Sequence, residues 1–242
     1  MSFSTQLTEG FARLDYPVTS EQQNQMADFF AYLLAVNEQM NLTAVVTEEE
    51  AVTRHFLDSA SLLLYDWLKP GMRCIDIGAG AGFPGIVLAI LRPDIQFILA
   101  DSLRKRVQFM NDAIARLALT NVTAIHGRAE ELGQSRAHRE QYDCVLARAV
   151  ASLPVLCEYC LPLAKPKCGT MIAYKGPSAK EEALQAQTAC RILGGYAPQI
   201  FQARVPGLDH QFVYIQKIRP TPPKFPRKAG TPVRDPLLDR NR

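Results

Sequence analysis

Two carboxylates and a run of glycines carry the chemistry that this sequence can do. Residues 74–85 read Cys-Ile-Asp-Ile-Gly-Ala-Gly-Ala-Gly-Phe-Pro-Gly, and a second acid, Asp101, stands 25 positions after Asp76. Glycines adopt backbone angles that a Cβ forbids and let a ligand lie against the main chain. Pro84 suits a first helical position, where a missing N–H costs nothing. A buried strand, a glycine turn and a helix amino end together make a nucleotide-binding site. Two registers compete within it. Gly80-x-Gly82-x-x-Gly85 matches the dinucleotide fingerprint, a weak signal by itself. Asp76-x-Gly78-x-Gly80-x-Gly82 instead sets a carboxylate at the loop entrance. That charge repels a pyrophosphate, whereas it attracts S-adenosylmethionine, which has no phosphate and carries an ammonium and a sulfonium. The plainer role for Asp76 is a solvated acid at a tight turn.

Ligands of parallel α/β sheets lie beyond the carboxyl ends of the strands. Asp101 ends an apolar run, Ile95 to Ala100, and an acid about twenty residues past the glycines can take both hydroxyls of an adenosine ribose. Its competing role, capping the next helix, can be filled by Ser102. Gly127-Arg128-Ala129-Glu130 closes the third strand, where an adenine edge lies in this topology. Arg148 ends the fourth, within Ala147-Arg148-Ala149. No Asn-Pro-Pro-Tyr or Asp-Pro-Pro-Tyr follows that strand, and the chain has no Pro-Cys dipeptide. Amine methylation and thiolate attack on a pyrimidine therefore lack their usual devices. A ring nitrogen with a free lone pair, such as guanine N7, needs neither. Holding it in line with an activated methyl at ~3 Å can supply roughly 7–11 kcal/mol of barrier reduction, and fixed dipoles then serve better than a base.

The elements that must position these groups follow from periodicity. Phe3, Leu7 and Phe11 mark a short helix over 2–15, broken at Pro17. A capping box at Thr19 or Ser20 opens an amphipathic helix from Glu21 to about Glu38. Thr47 and Glu50 open another that runs past Phe56 and Leu57 toward Tyr65, with His55 and Asp58 one turn apart. Parallel strands are expected at Arg73–Ile77, Ile95–Ala100, Asn121–His126, Tyr142–Ala147 and Thr170–Tyr174. Helices are expected at Phe83–Leu91, at Ser102–Leu119, after Ser152 and at Ser178–Leu193. Two apolar runs, Pro198–Val205 and Gln211–Ile218, read as a closing antiparallel pair. The fold class is α/β: a Rossmann-like class I methyltransferase with a seven-stranded, mostly parallel sheet and an N-terminal helical cap. Residues 1–66 form the cap, 67–219 the cofactor domain and 220–242 a basic, Pro-rich tail.

Composition agrees. The chain has 242 residues, 48% of them hydrophobic, enough for one large core. No long uncharged apolar stretch or secretory signal is seen, so no membrane partner is expected and a cytoplasmic monomer is. The six cysteines are scattered through apolar segments as reduced core thiols would be. Cys157-x-x-Cys160 lacks a second pair, so no metal is expected. Residues 217–242 hold eight basic residues (Lys217, Arg219, Lys224, Arg227, Lys228, Arg234, Arg240 and Arg242) against Asp235 and Asp239. That is +6 within a chain of net charge +3. Such a tail builds no core; it follows a phosphate backbone or remains solvated. Arg104, Lys105 and Arg106 open a helix against its macrodipole, which asks for an external anion such as RNA phosphate.

The chain resembles the RsmG (GidB) family. The resemblance rests on Asn41-Leu42-Thr43, Arg54-His-Phe-Leu-Asp-Ser59, Asp76 to Gly85, Asp101-Ser-Leu-Arg-Lys-Arg106, Arg128-Ala-Glu-Glu131, Ala147-Arg-Ala-Val150, Lys175-Gly176 and Phe225-Pro-Arg-Lys-Ala-Gly-Thr-Pro232. It implies methylation of N7 of one guanine in 16S ribosomal RNA, with S-adenosylmethionine as donor and the small subunit or its RNA as partner. It implies cofactor contacts at Gly78, Phe83, Ala129, Glu130 and Arg148, beside Asp76, Gly80 and Asp101. It also implies RNA contacts at Arg104, Lys105, Arg106, Lys175, Arg227 and Lys228. No residue is expected to act as acid, base or nucleophile. Arg148, unsuited to a sulfonium, is expected to hold the methionine carboxylate or an RNA phosphate. Two other classes stay open: an NAD-dependent oxidoreductase, separable by cofactor binding, and a non-catalytic RNA-binding protein, separable by methyl incorporation.

Overall fold

The computed structural model describes residues 2–239. Arg240 and Arg242, counted above in the basic tail, lie outside them. Three helical pieces come first. Helix α1 (Phe3–Arg13) buries Phe3, Leu7 and Phe11. Helix α2 (Ser20–Met40) opens on the expected capping box, with both reciprocal bonds of Thr19 and Gln22 made. The third piece changes pitch along its length: α3 (Glu48–Ala51), a π turn over Val52–Leu57, α4 (Asp58–Ala60) and a 3-10 turn over Ser61–Leu64. Mid-helix π turns concentrate at functional sites, and this one carries His55 and leads into Asp58.

The α/β part alternates as the periodicity requires: β1 (Arg73–Ile77), α5 (Gly85–Leu91), β2 (Gln96–Asp101), α6 (Arg104–Arg116), β3 (Val122–His126), α7 (Ala129–Leu132), β4 (Cys144–Arg148), α8 (Leu153–Cys160), β5 (Thr170–Lys175), α9 (Ala179–Leu193), β6 (Gln199–Gln202), β7 (Gln211–Gln216) and α10 (Thr231–Arg234). The strands form one sheet in the order β3-β2-β1-β4-β5-β7-β6. β1 to β5 run parallel, and β7 lies antiparallel between β5 and β6. The expected pair is thus a hairpin inserted with its second strand inward. A dinucleotide fold repeats its first half in its second; this sheet does not.

Burial follows the pleat. Cys74 packs on the α2/α5 side with Phe29, Phe56 and Leu88. Ile75 and Ile77 pack on the α8/α9 side with Leu156 and Ala186. The cap therefore shares one core with the sheet, through an aromatic cluster in which Phe29, Phe56 and Phe83 meet at 5.2–6.2 Å between centroids.

Helix α6 begins two residues later than its sequence suggests and stops at Arg116. The Asp101 carboxylate accepts the Leu103 N–H at 2.9 Å, holding that turn outside the helix. Ala118, with φ +51°, closes the other end.

The tail departs most from expectation. It is packed, not loose. Lys217 is fully buried, with Nζ donating to the Leu161 carbonyl and the Thr221 hydroxyl and Glu140 3.6 Å away. Burial pushes its pKa down to about 8. Arg139 donates to the carbonyls of Thr221, Pro222 and Phe225, and the Phe225 ring is buried. A segment rich in Pro and Lys builds a core here because the domain supplies its acceptors.

Candidate active site

The carboxyl ends of β1, β2, β3 and β4 surround a cavity of about 520 Å³. It lies where the strand order reverses, between β1 and β4, as ligand sites of open α/β sheets do. Ile77 and Gly78 line it from β1, Ala100 to Ser102 from β2, and Gly127 to Glu130 from β3. Val150 and Ala151 follow β4, Tyr159 comes from α8, and Gly230, Val233 and Arg234 come from the tail.

The glycine loop is pinned to β2. The Gly78 and Ala79 N–H groups donate to the Ala100 carbonyl at 2.8 and 3.2 Å, and the Gly80 N–H donates to Asp101 Oδ2 at 3.0 Å. Gly78 has φ +70°, and a Cβ there would stand 2.6 Å from Val150 Cγ2. The strand therefore turns without a side chain filling the cavity floor. At Gly85 the need is close packing: a Cβ would lie 2.0 Å from Leu99 Cδ2 and 3.0 Å from Asp76 Oδ2.

Asp101 and Glu130 both line the cavity. Asp101 accepts Gly80 N–H on one oxygen and Leu103 N–H on the other, with Arg106 at 3.6 Å. Each oxygen keeps a lone pair for a further donor. Glu130 Oε1 accepts the Gly230 N–H at 3.0 Å. The Tyr159 phenol is pushed up to about 12 by burial and by Glu130 and Glu158, so it stays a neutral donor.

Asp76 is elsewhere. It is buried beneath the loop on the α5 side, where Oδ2 accepts the Gly85 N–H at 3.0 Å and Oδ1 has no partner. Burial raises its pKa to about 7, against the lowering effects of Gly85 N–H and Arg148. It is thus neither a solvated turn acid nor part of the cavity lining. An acid whose folded pKa exceeds its unfolded one binds more protons folded, so stability falls as pH rises from about 4 to about 7. The size is on the order of a few kcal/mol. Asp76→Asn is expected to flatten that slope; urea midpoints measured from pH 4.5 to 8 check it.

Phe83 and Arg148 also stand away from the lining. The Phe83 ring stacks on His55 at 4.4 Å, with the Arg148 guanidinium 5.5 Å from its centroid. Arg148 is committed to the cap. Nη1 donates to Asp58 Oδ2 at 2.9 Å and to the Arg54 carbonyl at 3.0 Å, and Nη2 lies 3.4 Å from His55 Nδ1. A carboxylate inside the protein thus faces the guanidinium expected to hold a methionine carboxylate or an RNA phosphate. Asp58, fully buried, also takes His210 Nδ1 at 2.9 Å on its other oxygen. Burial and then Arg148 lower the His55 pKa to about 4. The neutral ring accepts from Arg148 at Nδ1 and donates from Nε2 to Thr43 Oγ1 at 2.9 Å. The segments Asn41–Thr43 and Arg54–Ser59 thus meet Arg148 in one network.

The expected RNA contacts divide. Arg104, Lys105 and Lys228 are exposed. Arg106 is half-buried beside Asp101. Lys175 is not available: its Nζ is shared between the Ala151 carbonyl and Glu182, both at 2.7 Å. Arg227 is not available either. Its Nε and Nη2 grip the buried Glu158 at 2.7–3.2 Å, and Nη1 reaches Asp235. Arg227 is held by the buried Glu158 and Lys175 by the half-buried Glu182.

Sequence reasoning missed Ser102, Val150, Tyr159, Gly230, Val233 and Arg234. Tyr159 and its neighbour Glu158 sit inside the Cys157-x-x-Cys160 motif, which drew attention only to its thiols. The Cys157 sulfur actually faces Cys190 at 3.5 Å.

The family model "GidB: rRNA small subunit methyltransferase G" matches residues 22–207. A ribosomal RNA small subunit methyltransferase G from Alkaliphilus metalliredigens is 46% identical over 96% of this chain and 97% of its own. One from Lactobacillus helveticus is 43% identical, over 92% of this chain and 94% of its own. Among solved structures, a SAM-dependent methyltransferase from Aquifex aeolicus superposes with a TM-score of 0.52 at 17% identity, over 70% of this chain and 93% of that one. Aeropyrum pernix fibrillarin with bound S-adenosyl-L-methionine superposes at 0.50 and 16%, over 68% and 75%. Those two likenesses speak to the fold; the near full-length match to the curated relatives speaks to descent. By both the family model and its relatives, the chain belongs to the GidB family, rRNA small subunit methyltransferase G.

Proposed function

We propose that this protein transfers the methyl group of S-adenosylmethionine to N7 of a guanine in the RNA of the small ribosomal subunit. The observation that carries the reading is the cavity at the sheet's switch point, in a chain of this family, with Asp101 and Glu130 both in its lining. The target atom follows from the resemblance and from the lack of amine or thiolate devices in the sequence.

The residues present fit the donor. Asp101 keeps acceptor capacity for ribose hydroxyls. Glu130 offers Oε2 to an adenine amine. Gly78 leaves open the floor that a Cβ would fill. When bound, the donor supplies a methyl already activated by its sulfonium. The chain's own residues then bind, orient and exclude water. Pinning the loop through Gly78, Ala79 and Gly80 fixes the ligand's path, and such positioning is the main source of rate when no proton must move first. Arg148, held by Asp58, braces the end of β4 and so the segment Ala149–Ala151 beside the cavity. No general base is assigned.

RNA approach is supported by Arg104 and Lys105, two and three residues past the cavity-lining Ser102, and by Lys228 in the tail. Among the described residues no helix is long and apolar enough to cross a membrane. The oxidoreductase alternative finds no support in the sheet or the family.

The test is methyl transfer from labelled donor to small-subunit RNA from cells lacking this gene, mapped by mass spectrometry. One 7-methylguanosine, absent without the protein, is expected. No incorporation at saturating donor would favour a binding-only protein.

A further inference from the structure

We propose that the C-terminal strap, residues 227–234, is a built wall of the cofactor pocket, and that the Gly230 N–H is the positioning group that aims Glu130 at the adenine edge. The inference rests on the reading of the cavity as the S-adenosylmethionine site.

Glu130 is 7% exposed. Its Oε1 is bonded to Gly230, and no donor among the described residues is seen to reach Oε2. A flexible glutamate gives specificity only when a second contact locks it. Here that contact comes from 100 residues along the chain. Gly230 has φ +79°, the left-handed region that most residues avoid. That turn points the N–H at Glu130 and sends Thr231–Arg234 across the cavity mouth.

The strap is fixed at its root. The Arg227 N–H and guanidinium both bond Glu158, which is 1% exposed. Pro226 packs so closely on α7 that a Cβ on Gly133 would stand 2.7 Å from Pro226 Cγ. At the tip, Val233 lines the cavity while 60% exposed. An apolar side chain in the lining suits the flat face of a purine. Root, turn and tip thus join one carboxylate's orientation to one wall.

The test uses the full-length protein and two probes: S-adenosylhomocysteine and its analogue lacking the 6-amino group. Equilibrium binding is measured for wild type, Gly230→Pro and Gly230→Asn. Wild type should prefer the adenine form by about tenfold or more, as one hydrogen bond to a charged group allows. Gly230→Pro, which has no N–H and cannot take the turn, should bring the ratio within about twofold. Gly230→Asn keeps the N–H and tolerates a positive φ, so it should preserve the preference. A wild-type ratio in Gly230→Pro, or equal weakening of both probes, overturns the inference. If Gly230→Pro fails to fold, amide exchange at Gly230 in the wild type decides: saturating S-adenosylhomocysteine should slow it at least about tenfold, and no change overturns the inference. Wild type binding neither probe would instead overturn the site reading itself. Equal binding of both would overturn the inference, and with it the Glu130 contact to the adenine amine, while the cavity would still be the donor site.

Discussion

Asp58→Ala is expected to lower the free energy of unfolding by about 3–5 kcal/mol and to abolish methyl transfer, although Asp58 lies outside the cavity lining. The carboxylate is fully buried and joins Arg148 at the end of β4 to His210 before β7. Its removal leaves the Arg148 guanidinium, only 14% exposed, with the Arg54 carbonyl and His55 but without a counter-charge. An uncompensated buried charge costs far more than the pair contributes. Loss of the brace also frees Ala149, which has φ +56°, and the residues after it beside the cavity. The hydrogen bond to Asp58 raises the His210 pKa above its ordinary 6.5 against partial burial. A raised folded pKa means that this contribution is full below about 6.5 and fades as pH rises through the raised value. Urea denaturation from pH 5.5 to 8.5 checks both points. Asp58→Ala should also lose the His210 slope, and His210→Gln should lose the slope alone. A destabilisation under 1 kcal/mol would contradict the assignment of Asp58 as the central strut.

Asp101→Ala is expected to weaken S-adenosylmethionine binding at least about 100-fold, the cost of two hydrogen bonds to a charged acceptor. The loss has two sources. The carboxylate is the proposed partner of the ribose hydroxyls, and it also holds the Gly80 and Leu103 N–H groups that shape the loop and the start of α6. Asp101→Asn keeps one acceptor oxygen and should fall between the two. Isothermal titration separates them, and an effect below threefold would remove Asp101 from the site.

Much of this was legible beforehand, for identifiable reasons. The strands could be read because parallel strands buried on both faces need unbroken apolar runs, and Ile75, Leu99, Val145 and Ile172 supply them. The glycine loop could be read because Gly78 has φ +70°, which few other residues accept. Asp101, Ala129 and Glu130 could be placed at the cavity because strand ends fix them.

Charge was the poor guide. Lys175 and Arg227 were expected to meet RNA and Lys217 was counted in the basic tail, yet each is paired inside the protein with Glu182, Glu158 or Glu140. A basic residue's sign is local, but its partner is set by tertiary packing, 69 residues away in the case of Arg227. Arg148 likewise has an internal acceptor that its local sequence does not announce: Asp58, 90 residues earlier. Asp76 shows the converse. Its position was read correctly, but the pleat turns its carboxylate toward α5 and away from the ligand cavity. The segment Phe225 to Pro232 was singled out by resemblance, but nothing in Lys228-Ala229-Gly230-Thr231 marks a residue whose N–H will meet Glu130.

The central claim is that one cavity, between Asp101 and Glu130, holds the methyl donor. A crystal structure with S-adenosylhomocysteine tests it most directly. The expected density has the ribose against Asp101, the adenine between Glu130 and Val233, and the amino-acid end over Gly78. Density in another hollow, with this cavity left to solvent, would contradict the account.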